Sequence, residues 1–140
     1  MITGFIISKV EGRVDSVEGL GRQRFPRLNY NFDKLTAEAD ILKLDYEFTA
    51  SYFDGDANSK TAKSIGELKL SGVIEIKDTK EAVASITKKW NESHTLPSEL
   101  AEEVLNSLNF RCGATGTLVA YSLGLIPPIV ISQTKIQDKK

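Results

Sequence analysis

The sequence holds one cysteine, Cys112, and one histidine, His94. A disulfide framework takes cysteines in pairs, and a structural zinc site takes three or four Cys or His ligands at short spacings, so both are excluded. No apolar run nears the roughly 20 residues that span a bilayer. Met1-Ile2-Thr3-Gly4-Phe5-Ile6-Ile7 lacks the basic start and long apolar core of a secretory leader. Charge of one sign is also missing. With 18 basic side chains against 19 acidic ones, the formal net charge is -1, and no global field recruits nucleic acid or anionic lipid. The 140 residues suit one compact domain, since two cores of about 70 residues would each be marginal alone. The expectation is a cytoplasmic protein with a single domain over 1–140 and no membrane insertion.

Catalytic signatures are equally sparse. Cys112 reads as a small buried residue of a helix, and His94 sits in the polar connection Asn91–Thr95. Asp54-Gly55-Asp56-Ala57-Asn58 resembles the start of a calcium loop, but Ser59 and Ile65 stand where that loop needs glycine and a bidentate glutamate. A turn is the simpler reading. Gly113-Ala114-Thr115-Gly116 lacks the Lys-Ser/Thr of a P-loop, and no nucleophile elbow occurs. Nothing in the residue order selects a carboxylate pair. No catalytic residue, metal site or cofactor is expected, and the chain reads as a non-enzyme.

What is present is patterning. Ile6, Ser8, Val10, Gly12 and Val14 fall on one side of a first strand, with Phe5, Ile7 and Lys9 on the other. Asp15 to Pro26 reads as a loop rich in Gly, Arg and Glu. Leu28–Asp33 alternates apolar and polar residues, and Lys34–Asp40 is a polar connection. Leu42, Leu44, Tyr46, Phe48, Ala50 and Tyr52 then share one face. After a loop over Asp54–Lys60, Leu68, Leu70, Ile74 and Ile76 continue that face, with Gly66 and Gly72 on the same side. Phe5, Ile7, Phe53, Ile65 and Val73 are assigned to the other face. Four strands joined by hairpin-like connections make an antiparallel sheet.

At Asp78 the period changes. Asp78-Thr79-Lys80-Glu81 has the form of a capping box, and Ala82, Val83, Ile86 and Trp90 recur at helical spacing. Leu96-Pro97-Ser98 ends that helix and starts another, which runs to Gly124 with Gly113 and Gly116 as a possible kink or smooth face. Pro127-Pro128 forbids further helix. The fold class is therefore α+β: a four-stranded antiparallel sheet over about 2–77, two helices over about 78–124 and an extended tail over 125–136.

This order resembles the SecB-like export chaperones. The residues that carry the likeness are Pro26-Arg27-Leu28-Asn29-Tyr30-Asn31-Phe32, Leu42–Ala50, the Gly66–Ile76 strand, Phe110-Arg111-Cys112 and Gly124-Leu125-Ile126-Pro127-Pro128. The layout covers Ile6 to Ile131. The balanced charge departs from the acidic bacterial chaperone, whose negative sheet surface docks a translocase ATPase. The helical reading of Asp78–Asn91 departs from the family's crossover. Both departures point to a divergent branch, such as an archaeal one.

The resemblance implies ATP-independent holding of unfolded or pre-secretory polypeptides, with a toxin–antitoxin partner as a variant of that role. Such a site needs an open apolar and aromatic surface. The candidates are Phe5, Ile7, Tyr52, Phe53, Trp90 and Tyr121, part of which should form one accessible patch. The second helix carries apolar residues around most of its circumference, more than a sheet alone covers. A homo-oligomer follows, a dimer at least with a tetramer favoured, using Leu108, Gly113, Gly116 and Leu118. The alternatives are a hotdog-like small-molecule enzyme or ligand-binding domain, which would place a long helix after the first strand, and a purely structural oligomer subunit.

Overall fold

The computed structural model describes residues 2–54 and 63–129. The expected loop beyond Asp54 and the tail from Val130 onward lie outside the described residues. The fold is α+β: four antiparallel strands followed by two helices. Strands β1 (Ile2–Val14), β2 (Arg27–Glu38), β3 (Ile41–Asp54) and β4 (Lys63–Lys77) lie in the order β1-β4-β3-β2. Helices α1 (Lys80–Ser93) and α2 (Ser98–Leu123) follow.

The two central strands alternate strictly from Leu42 to Tyr52 and from Gly66 to Ile76. Leu42, Leu44, Tyr46, Phe48, Ala50 and Tyr52 of β3 are buried opposite Ile76, Ile74, Gly72, Leu70, Leu68 and Gly66 of β4. The opposite face of these strands carries Glu47, Glu67, Lys69 and Glu75, with Lys69 within 3.9 Å of Glu47. The sheet is apolar on its helix side and charged on its outer side.

Both edge strands break the alternation, β1 at Thr3 and at Ser8 and β2 between Phe32 and Leu35, and the breaks at Ser8 and after Phe32 correct the sequence reading. Ile7 pairs with Gly72 and Lys9 with Ser71, so Ser8 is an extra residue in β1. A β-bulge of this kind reverses which side the following residues face. Phe5 and Ile7 therefore lie on the same, helix-facing side as Val10, Gly12 and Val14, not opposite them. The Ser8 hydroxyl donates to the Ser71 carbonyl at 3.2 Å. In β2, Phe32 pairs with Tyr46 and Leu35 with Leu44, so an extra residue again restores an apolar side chain to the core face. The expected connection over Lys34–Asp40 is thus mostly strand, and it closes with a tight turn at Ala39-Asp40. In β4 the extra residue is Ile65, which is buried beside Gly19 rather than exposed on the outer face.

The link from β1 to β2 is not a hairpin. It crosses from one edge of the sheet to the other past the ends of β3 and β4. Asp15 and Ser16 donate backbone bonds to the Ile65 carbonyl, and Gln23 bridges Asp54. A five-residue 3₁₀ turn, Glu18–Arg22, lies within it. The long central helix that a hotdog layout requires is not between these strands; both α-helices come after β4.

Helix α1 starts at Thr79, whose hydroxyl accepts from the Ala82 amide at 3.2 Å, and ends at His94 in the left-handed conformation. Its buried residues are Val83, Ile86 and Trp90, and it packs toward β2. Helix α2 runs unbroken through Gly113 and Gly116 and ends at Gly124 (φ 74°), where Leu125 donates to the Ala120 carbonyl at 2.9 Å. No helix among the described residues is long and apolar enough to cross a membrane.

Candidate functional site

Helix α2 has two apolar faces. Val104, Leu108, Cys112, Gly116 and Ala120 recur every fourth residue and are buried. On the opposite side, Phe110, Leu118 and Tyr121 are 75%, 73% and 86% exposed, with Ala114 between them. A helix that only covers a sheet needs one apolar stripe of about 100°. The second stripe is surplus to the packing of this chain and is left in water.

The placement of that stripe follows from length. Helix α2 has 26 residues and is about 39 Å long at ~1.5 Å per residue. Strand β1 has 13 residues and is about 43 Å long at ~3.3 Å per residue. The two run side by side in the same direction. The Ile2 amide donates to Glu103 at 3.2 Å, the Arg111 guanidinium lies 5.6 Å from the Phe5 ring centre, and Gly12 faces Val119 and Leu123. A Cβ on Gly12 would stand 2.7 Å from Leu123, so the bare backbone is what lets the helix end sit down on the strand. Because α2 lies over an edge strand, its outer stripe adjoins Val10 of β1. The two elements enclose an open hollow of about 400 Å³, lined by Val10, Gly12, Leu118, Val119, Ser122 and Leu123.

No protein-family model matches this sequence, and no curated protein sequence matches it. The structure is similar to that of a SecB-like chaperone from Mycobacterium tuberculosis, solved in complex with a ChAD peptide from the HigA1 antitoxin. The TM-score is 0.56 over 100% of this chain and 91% of that one, at 8% sequence identity. The fold is SecB-like.

Within the SecB-like fold, the residues anticipated as a polypeptide surface separate into three environments. Tyr121 is on the exposed stripe. Phe5, Ile7 and Phe53 are half-buried, Phe5 with its ring 5.2 Å from that of Tyr46 and under Arg111. Tyr52 and Trp90 are core residues of this chain. The Tyr52 hydroxyl donates to the Ile126 carbonyl, and Trp90 meets the His94 ring edge-on at 5.1 Å. Their aromatic rings fall at core-facing positions of β3 and α1, which takes both out of an accessible patch.

The residues anticipated as a subunit contact also separate. Leu118 is exposed, whereas Leu108 is buried in this chain's own core. Gly113 and Gly116 are already covered, by Pro128 and Ile129 of the same chain. A Cβ on Gly116 would stand 2.8 Å from Pro128. The close approach that these glycines permit is made by the returning tail, because the left-handed cap at Gly124 turns the chain back along α2.

Phe110 and Val10 were legible as apolar residues but not as site residues. The signal for Phe110 is the row of Phe110, Ala114, Leu118 and Tyr121 at helical spacing, on the face opposite Leu108 and Cys112. For Val10 it is hidden by the bulge at Ser8.

Burial governs the titratable groups nearby. It pushes the Cys112 thiol up to about 12 and holds the Tyr46 and Tyr52 hydroxyls well above the usual tyrosine value. It pushes Tyr30 up to about 12, with the Cys112 thiol adding to the effect. A thiol in that state is not a nucleophile at neutral pH. Among the described residues, no group of three or more His, Cys, Asp or Glu side chains gathers to hold a metal ion.

Proposed function

We propose that this protein is an ATP-independent holdase chaperone that binds unfolded or pre-secretory polypeptides. The observation that carries this reading is the exposed stripe of Phe110, Leu118 and Tyr121 beside Val10. It offers apolar contact with no fixed set of polar partners, which suits a surface that accepts many sequences and reads none. The peptide bound by the structurally similar mycobacterial chaperone supports polypeptide as the ligand class. The middle of the stripe at Leu118 is the subunit contact of a homo-oligomer, a dimer at least and a tetramer in the favoured form. Its C-terminal end, Tyr121 with the hollow beside Val10 and Leu123, is the polypeptide contact, extended by the half-buried Phe5 and Ile7. The protein works in the cytoplasm and uses no cofactor.

The test is binding of a fluorescently labelled, permanently unfolded polypeptide, followed by anisotropy without nucleotide. Saturable binding that weakens about tenfold in Tyr121→Ser, with no change in the mass of the assembly, is the expected result. Absence of saturable binding to any unfolded polypeptide overturns the reading.

A further inference from the structure

The tail after α2 is held in an unusual way. A segment that belongs to a sheet exchanges backbone bonds with backbone. Here the Gly124 and Leu125 amides close the helix end onto Tyr121 and Ala120, while the Gly124 carbonyl and both backbone groups of Ile126 are gripped by side chains. The Gln23 amide donates to the Gly124 carbonyl at 2.8 Å, and its oxygen accepts from the Ile126 amide at 2.8 Å. The Tyr52 hydroxyl, from a fully buried residue, donates to the Ile126 carbonyl. Gln23 is itself anchored by a 2.9 Å bond to the Leu20 carbonyl in the crossover.

The side chains of the tail are sorted by the same slot. Leu125 and Pro128 are buried, Ile126 is half-buried, and Pro127 and Ile129 are exposed. Pro128 rests on the bare helix face at Gly116, where any Cβ would displace it. Backbone groups held by fixed polar side chains, with apolar positions received in pockets, is how extended peptides are recognised as ligands. Gly124 is held in the left-handed cap conformation (φ 74°), but nothing in the grip on Ile126 reads its side chain, so another extended chain would meet the same Tyr52 donor and Gln23 acceptor there.

We propose that Gln23, Tyr52, Gly113 and Gly116 form a binding slot for an extended, apolar, proline-bearing peptide segment, which the chain's own Leu125–Ile129 fills in cis. The tail is then a strap that a bound polypeptide displaces. The identity of that competitor rests on the holdase reading above; the slot itself does not.

The test uses the full-length chain and a fluorophore-labelled peptide with the sequence of Leu125–Ile129, read by anisotropy. Pro128→Ser loosens the strap and leaves the slot intact, so it should bind the peptide at least tenfold more tightly than the unaltered protein. Adding Gln23→Ala should abolish that gain. Equal binding by Pro128→Ser and the unaltered chain, or a gain that survives Gln23→Ala, overturns the proposal. A second measurement needs no variant: amide exchange at Ile126 should quicken at least tenfold when the unaltered chain is saturated with an unfolded polypeptide. Undiminished protection at saturation refutes displacement while leaving the holdase reading in place. A chain that binds no unfolded polypeptide defeats the holdase reading, and the peptide experiment still decides the slot.

Discussion

Tyr46 reaches across the bare backbone of Gly72 and donates its hydroxyl to the Ile6 carbonyl at 3.0 Å. Three strands meet in that contact: Tyr46 lies on β3, Gly72 on β4 and Ile6 on β1. The bulge at Ser8 disturbs the β1–β4 ladder beside Ile6, and the tyrosine supplies a bond there. Only glycine permits it, because a Cβ at position 72 would collide with the Ile6 carbonyl and stand 2.9 Å from the Tyr46 hydroxyl.

Two tyrosine-to-phenylalanine substitutions should therefore differ in sign. Tyr46→Phe leaves a part-buried carbonyl without its partner and should cost about 1–3 kcal/mol. The Tyr30 hydroxyl is buried with no hydrogen-bond partner, so Tyr30→Phe should be neutral or stabilise by about 1 kcal/mol. Urea denaturation of the two variants separates these outcomes; equal destabilisation by both would contradict the assignment.

Alkaline pH should unfold the protein. Tyr30, Tyr46 and Tyr52 are raised above 10.0 and Cys112 above 9.0, all chiefly by burial of the neutral form. An unfolded chain loses these protons first, so it is favoured once pH exceeds its own values. The stability that these groups contribute is complete below about pH 9 and falls as pH rises through about 12. Circular dichroism melts between pH 7 and 11 should show a falling midpoint above pH 9; a flat profile would contradict the burial of these groups.

The turn between β2 and β3 is strained in one place. Ala39 has φ 57°, a conformation that costs a non-glycine residue about 1–2 kcal/mol. Ala39→Gly removes that cost but enlarges the freedom of the unfolded chain by about 0.4–1 kcal/mol. A net stabilisation of up to about 1 kcal/mol is expected, measured as a shift in denaturation midpoint.

Most of the central strands and both helices were legible because their patterns run uninterrupted, the exception being the extra residue Ile65 in β4. Leu42–Tyr52 keeps period two throughout, and Asp78-Thr79 and Gly124 mark helix ends that the structure places at Thr79 and Gly124. The edge strands were misread at steps of three, Ile7 to Val10 and Phe32 to Leu35. Such a step is what a bulge looks like in sequence, and it is also what the end of a strand looks like. The crossover was invisible because hairpins and edge-to-edge links have similar composition. Gly113 and Gly116 were expected at a subunit contact, whereas the chain's own Pro128 and Ile129 lie against them, and no local pattern says which segment approaches. That depends on the direction the tail takes after Gly124.

Self-association through the α2 stripe should depend on Leu118. Light scattering is expected to give a dimer at least, with a tetramer favoured, and Leu118→Asp should lower the mass to that of a smaller species. The Leu118 side chain is 73% exposed, so the melting midpoint of the subunit fold should move little. A stable monomer of the unaltered protein at tens of micromolar would contradict the interface.

The most direct measurement is suppression of aggregation. An unrelated enzyme is unfolded by heat in the presence of the purified full-length protein, without nucleotide, and its light scattering is followed. Scattering should be suppressed at near-stoichiometric subunit ratio, added ATP should change nothing, and Tyr121→Ser should weaken the effect. Undiminished scattering at a several-fold excess of this protein would contradict the holdase reading.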